Sequence, residues 1–175
     1  MEHKGFTLWF TGLPCSGKSV LADAIAKDLK ERGMKVERLD GDIVRKSLTR
    51  DLGFSEEDRN KNIERVTFVA KLLTRNDVIV LATFVSPYIA RRHQTREEIG
   101  EYVEVFVKAS LEECIKRDAK GMYKKALAGE IKNFTGIDVP YEAPPNPEIL
   151  VDTDVESVDE SVEKVLKYLE KNGYL

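Results

Sequence analysis

One stretch limits what this chain can fold into more than any other: Gly12-Leu13-Pro14-Cys15-Ser16-Gly17-Lys18-Ser19. It fits G-x-x-x-x-G-K-[ST], the phosphate-binding loop, at every fixed position. Its flanks agree. Phe6-Thr7-Leu8-Trp9-Phe10-Thr11 is apolar and β-prone, enough for one buried strand. After the loop, Leu21, Ile25 and Leu29 recur four apart, which is one face of a helix. Glycines let such a loop curl so that successive N–H groups point inward, and the following helix adds its N-terminal partial charge. Lys18 is placed to bridge the β- and γ-phosphates, and the Ser19 hydroxyl to ligate Mg²⁺. The expectation is a nucleoside triphosphate held by residues 12–19.

Length and charge narrow the setting. A chain of 175 residues with 42% hydrophobic content suits one domain, residues 1–175, with one substantial core. The formal net charge of -3 supplies no global field for nucleic acid or an anionic membrane, so neither is expected as a partner. The longest apolar run, residues 78–85, is too short to span a bilayer and reads as a buried strand. Met1-Glu2-His3-Lys4 leads into the first strand without a signal-peptide pattern, and Cys15 and Cys114 lack metal spacing. Free thiols in a cytoplasmic protein are the expectation. His3 and His93 are isolated, so no His-based metal site or Ser–His–Asp arrangement can be built.

The chain alternates strands and helices. Strands are expected at residues 6–11, 34–39, 77–84, 102–107 and 148–151, and helices at 19–29, 43–48, 55–75, 88–99, from 110, and from 157. Alternation of this kind implies a three-layer α/β sandwich with a five-stranded parallel sheet, of the phosphate-loop kinase type. Residues 120–147 break the pattern, being basic and then rich in Gly and Pro, and read as a lid centred on residues 118–140.

The loop alone does not choose a reaction. A GTPase needs an Asn-Lys-x-Asp guanine reader, and Asn60-Lys61-Asn62 lacks the carboxylate. A motor-type ATPase ends an apolar strand in a metal-organising acid, whereas here the third strand ends Thr83-Phe84-Val85-Ser86. The acids instead close the second strand as Asp40 and Asp42, where a carboxylate reaches both metal and acceptor hydroxyl across the sheet edge. Transfer to a small alcohol is favoured; a turn with a helix cap is the plainer reading of Asp-Gly-Asp. On the long helix, Arg59 and Asn62 share the stripe of Ile63, Val66, Ala70 and Leu73. A guanidinium there needs a partner, either an anionic ligand, which Arg45 would also serve, or an internal salt bridge. Phe54 and Phe134 sit in polar surroundings and read either as a purine sandwich or as lid anchors.

These residues resemble, in order and over nearly the whole chain, the adenylylsulfate (APS) kinases, which phosphorylate the 3′-hydroxyl of adenosine 5′-phosphosulfate. The resemblance rests on residues 12–19, Leu39-Asp40-Gly41-Asp42-Ile43-Val44-Arg45, Leu52-Gly53-Phe54-Ser55, Asp58-Arg59 with Asn62-Ile63, and Phe84-Val85-Ser86-Pro87. It continues through Arg117-Asp118-Ala119-Lys120-Gly121-Met122-Tyr123-Lys124-Lys125-Ala126, Lys132-Asn133-Phe134-Thr135-Gly136-Ile137, Tyr141-Glu142-Ala143-Pro144 and Asn146-Pro147-Glu148. Departures are mild: Pro14-Cys15-Ser16 replaces a more usual Ser-Gly-Ala, Met122 a Leu, and Ile43 an Asn.

The resemblance implies roles at matching positions. Lys18 and Ser19 hold ATP and Mg²⁺, Asp42 orients or deprotonates the 3′-hydroxyl, and Asp40 supports the metal. Arg45, Arg59 and Asn62 hold the phosphosulfate, while Phe54 and Phe134 clamp the acceptor adenine. Arg117, Lys120 and Lys132 come with the lid, Arg117 on the ATP side. Ser86 matches a serine once assigned as a phosphoserine intermediate; in-line transfer needs no covalent step, so positioning of the acceptor through its hydroxyl or backbone is expected. A homodimer and association with the sulfate-activating adenylyltransferase, ATP sulfurylase, are also implied. The alternative substrate is another nucleoside or sugar-acid alcohol.

Overall fold

The computed structural model describes residues 3–175; Met1 and Glu2 of the leading run lie outside it. Five strands form a single parallel sheet in the order β2-β3-β1-β4-β5: β1 Thr7–Thr11, β2 Val36–Asp40, β3 Ile79–Thr83, β4 Tyr102–Lys108 and β5 Ile149–Asp152. Between and after them run α1 Lys18–Glu31, α2 Gly41–Lys46, α3 Glu56–Thr74, α4 Ile89–Ile99, α5 Leu111–Arg117, α6 Met122–Leu127 and α7 Val158–Lys171. Every residue of β1 and β3 is buried, because helices cover both faces of a parallel sheet. On one face Leu8, Phe10, Leu81 and Val105 meet Leu21, Ile25 and Leu29 of α1 and Val165 and Leu169 of α7. On the other, Trp9, Val80 and Ala82 meet Ile63, Val66 and Ala70 of α3. The fold class, strand count and alternation match the expectation.

Local chemistry sets the boundaries. The Ser55, Ser110 and Ser157 hydroxyls accept from the amides three residues on, and at Ser157 the Glu160 carboxylate returns the bond, a full capping box. β3 starts two residues later than the expected strand because Asp77 is left-handed, with φ 58°, and the Val78 amide is held by the Leu73 carbonyl. β2 likewise starts late, since the Met34 amide closes the end of α1 on the Leu29 carbonyl. Val158, the first residue of α7, is exposed.

The irregular segment holds one helix that composition hides. α6 begins after left-handed Gly121, and the Asp118 carboxylate caps it by accepting from the Tyr123 and Lys124 amides at 3.0 and 2.9 Å. Beyond it, the Asp138 carboxylate accepts from the Asn133 and Phe134 amides and closes a tight turn. Among the described residues no helix is long and apolar enough to cross a membrane.

Candidate active site

The phosphate loop leaves β1 at the centre of the sheet, so its amides open at the C-terminal edge where strand order reverses. Two of its glycines are fixed by geometry. A Cβ on Gly12 would lie 2.3 Å from the Val107 carbonyl oxygen, and Gly17 has φ 103°, a left-handed residue immediately before α1. Cys15 is left-handed too, with φ 63°. Leu13, Pro14 and Ser16 complete the curl, the Ser16 amide donating to the Leu13 carbonyl at 3.1 Å. Lys18 is buried and folds back over the loop, donating to the Gly12 and Leu13 carbonyls at 2.9 and 2.7 Å. Burial lowers its ammonium from the ordinary 10.5 to about 8, against the attraction of nearby Asp40 and Asp42.

The second strand ends in the acid turn, and β2 lies next to β3 with Asp40 opposite Thr83. Asp40 is a hub. Its carboxylate accepts from Ser19 Oγ at 2.9 Å, Thr83 Oγ1 at 3.0 Å and the Asp42 amide at 3.0 Å, with Arg38 at 3.8 Å. Burial pushes this carboxyl up, but those bonds and the Arg38 charge outweigh it and hold the group below the usual carboxylate range. Asp-Gly-Asp is therefore both a helix cap and a link to the phosphate loop. Asp42 projects into solvent and pairs with Lys120, which the turn between α5 and α6 carries across from the other side. That contact raises the Lys120 ammonium above its ordinary value.

A third group gathers around Phe54, whose ring is exposed. The Arg45 guanidinium lies 4.2 Å from the ring centre and that of Arg59 5.7 Å. Arg45 donates to the Gly53 carbonyl at 2.9 Å. Arg59 donates to the Phe54 carbonyl at 2.9 Å, to Thr135 Oγ1 at 3.1 Å and to the Asn133 carbonyl. It thereby joins the residue bearing one ring to the turn bearing the other, Phe134. Neither guanidinium is ion-paired among the described residues, so the internal salt bridge considered for Arg59 is absent there. Burial lowers both below the ordinary arginine value, and Arg45 is lowered further by Arg59 itself.

Other expected residues land differently. Asn62 is buried, and its side-chain oxygen accepts from Thr49 Oγ1 at 2.7 Å. The Ser86 hydroxyl points into the core, accepting from Trp9 Nε1 at 3.0 Å and donating to the Phe84 carbonyl at 3.3 Å. The Phe134 ring meets Tyr123 edge-on at 4.9 Å rather than stacking with Phe54. Lys132 is exposed and makes no hydrogen bond or ion pair among the described residues. Arg117 lies beside the phosphate loop, bonding the Thr153 carbonyl and hydroxyl at 2.7 and 2.9 Å.

A model of the adenylylsulphate kinase family matches residues 4–152. The chain belongs to the adenylylsulfate kinase family. A relative from Pseudomonas aeruginosa, described as a probable adenylyl-sulfate kinase, is 61% identical over 167 residues, which cover 95% of this chain and 78% of that one. An adenylyl-sulfate kinase of Picosynechococcus is 57% identical over 175 residues, covering 100% of this chain and 99% of that one. Among solved structures, the Mycobacterium tuberculosis APS kinase CysC in complex with AMPPNP and APS is similar, with a TM-score of 0.91 and 42% identity. The match covers 96% of this chain and 99% of that chain.

Within this member of the adenylylsulfate kinase family, three contributors escaped the sequence reading as individuals. Thr153 donates to the Ser16 carbonyl at 2.8 Å, from far along the chain. Fully buried Tyr123 donates from its hydroxyl to the Pro14 carbonyl at 2.8 Å, tying α6 to the phosphate loop. Gly136, with φ 95°, lets the second turn approach Leu13, where a Cβ would lie 3.2 Å from Leu13 Cδ2. Tyr123 and Gly136 lie in runs shared with the family, but only long-range partners give them these tasks.

Proposed function

We propose that this chain transfers the γ-phosphoryl group of ATP to the 3′-hydroxyl of adenosine 5′-phosphosulfate, giving 3′-phosphoadenosine 5′-phosphosulfate and ADP. The observation that carries the choice of acceptor is the pair Arg45 and Arg59 around the Phe54 ring, two cations without a carboxylate among the described residues. That combination suits an anionic purine nucleotide. Similarity to kinases of this name and to the structure solved with AMPPNP and APS supports the same reading.

The roles follow from position. The inward amides of residues 12–17 and the start of α1 bind the β- and γ-phosphates, and Lys18 bridges them. Asp42 holds the acceptor hydroxyl in line and takes its proton as the bond to phosphorus forms. Lys120, facing Asp42 from the lid, offsets charge on the transferring group. Arg117 lies on the donor side with Thr153. Phe54 and Phe134 flank the acceptor base, Arg45 and Arg59 take its phosphosulfate, and Asn62 orients α2 and α3 from within through Thr49. Ser86 shapes the acceptor wall through its backbone, its hydroxyl being engaged by Trp9. Lid closure excludes water, the competing acceptor.

The donor set beside Lys18 also fits Mg²⁺. Ser19 Oγ and the Asp40 carboxylate are hard oxygen donors 2.9 Å apart, and Mg²⁺ commonly takes one or two protein oxygens with substrate phosphates. When bound, the metal neutralises charge on the β- and γ-phosphates. The deciding assay is ADP release across a panel of acceptors: adenosine 5′-phosphosulfate, AMP, adenosine and gluconate. Turnover confined to the first is expected, and its absence there overturns the assignment.

A further inference from the structure

Arg92 lies on α4, outside every motif that named the reaction, and its side chain is only 1% exposed. Its three donor nitrogens serve three different segments. Nε faces the buried Glu104 carboxylate of β4 at 3.2 Å. One terminal nitrogen donates to the Ser86 carbonyl at 2.5 Å and the other to the Glu142 carbonyl at 2.6 Å. A guanidinium needed only to neutralise Glu104 would not have to reach two carbonyls of two separate loops.

Those loops matter. Ser86 has φ 39°, a left-handed conformation that a serine holds only when its surroundings impose it. It follows β3 at the sheet edge where Thr83 meets Asp40. Glu142 follows the lid at its downstream root. Its amide donates to the Pro87 carbonyl at 2.9 Å and its carboxylate accepts from the Ile89 amide at 2.7 Å. Next to it, the Tyr141 hydroxyl meets Thr11 Oγ1 at 2.8 Å, and Thr11 also donates to the Val85 carbonyl at 2.8 Å. Thr11 immediately precedes the phosphate loop. Arg92 thus sits behind the point where the phosphate loop, the wall after β3 and the lid root converge.

We propose that Arg92 is a positioning residue for phosphoryl transfer, holding the left-handed turn at Ser86 and the lid root at Glu142 in one fixed relation. The proposal rests on the kinase reading above. It deepens that reading by assigning the acceptor wall's geometry to a side chain that never meets substrate.

The test separates this task from plain charge neutralisation. Arg92→Met alone leaves the buried Glu104 carboxylate with only the Arg96 guanidinium at 3.9 Å, so it is compared with Arg92→Met/Glu104→Gln, in which the buried carboxylate charge is gone. The double variant is expected to melt above Arg92→Met, short of wild type by the two carbonyls left without their donor. Its kcat/KM for adenosine 5′-phosphosulfate is expected to stay about 10²-fold below wild type, with KM for ATP unchanged. Activity that returns together with stability overturns the proposal, as does a KM for ATP that rises in step. Should the double variant not fold, Arg92→Lys decides: it keeps the charge beside Glu104 but cannot span both carbonyls, so full activity overturns the proposal and depressed acceptor turnover supports it. A wild-type protein that fails to use adenosine 5′-phosphosulfate would instead remove the kinase assignment itself.

Discussion

Replacing Lys18 with methionine should change how the stability of this protein depends on pH. The folded chain holds the Lys18 ammonium at about 8 against its ordinary 10.5, because it is buried under the phosphate loop. The unfolded chain therefore binds this proton more tightly, and folding with a charged Lys18 costs about 3 kcal/mol near neutral pH. Between pH 8 and 10.5 the folded form has released the proton while the unfolded form keeps it, so stability rises with pH across that window. About 2.5 kcal/mol of the cost is relieved between pH 7 and pH 10. Methionine has a similar stem and no charge, so Lys18→Met lacks this dependence while sharing every other titration. Urea unfolding without nucleotide, at pH 7, 8, 9 and 10, gives the difference between the two proteins. Wild type should gain on the variant by that amount, with the steepest change above pH 8. A difference that is flat with pH would refute the reasoning, since the ammonium would then be as well solvated folded as unfolded. The triphosphate restores what burial removes, so nucleotide binding by wild type near pH 8 should take up protons, measurable by calorimetry in buffers of different ionisation enthalpy.

Asp42→Ala should lower kcat about 10²–10⁴-fold while leaving the affinity for ATP intact by fluorescent-nucleotide titration; weakened ATP binding would move Asp42 to the donor side. Ser86→Ala should keep turnover and lose roughly 1 kcal/mol of stability with the Trp9 bond, and loss of turnover with the fold intact would restore a chemical role for the hydroxyl. Thr153→Val removes the donor to the Ser16 carbonyl, so KM for ATP should rise about tenfold, the equivalent of roughly 1.4 kcal/mol, with KM for the acceptor unchanged. Gly136→Ala forces a side chain onto a left-handed residue beside Leu13; a loss of about 1–3 kcal/mol in thermal unfolding is expected, with poorer KM for both substrates.

The donor half was legible because its physics is local. Residues 12–19 carry their own turn, charge and helix start, and Ser55, Ser110 and Ser157 announce helices that begin at the next residue. The acid turn was legible by its place at a strand end. What escaped depends on partners far along the chain. Nothing in the run from Ile89 to Ile99 marks Arg92 as buried, since Arg91, His93 and Gln94 beside it are all polar. Thr153 reads as an ordinary residue after an edge strand until β5 pairs with β4 and brings it under Ser16. Helix α6 is short and follows a turn that ends on left-handed Gly121, so its capping by Asp118 appears only when the backbone closes. Asn62 was correctly placed on the inward stripe of α3, but its neighbour Thr49 decides what it touches.

The bond from Thr153 to the Ser16 carbonyl has a consequence for synthesis. The phosphate loop leaves the ribosome well before Arg117, Tyr123 and Thr153, which brace its carbonyls from much later in the chain. A nascent chain arrested before β5 would carry every residue of the loop motif with its bracing incomplete. Nucleotide capture should therefore switch on only once β5 has docked and brought Thr153 under Ser16.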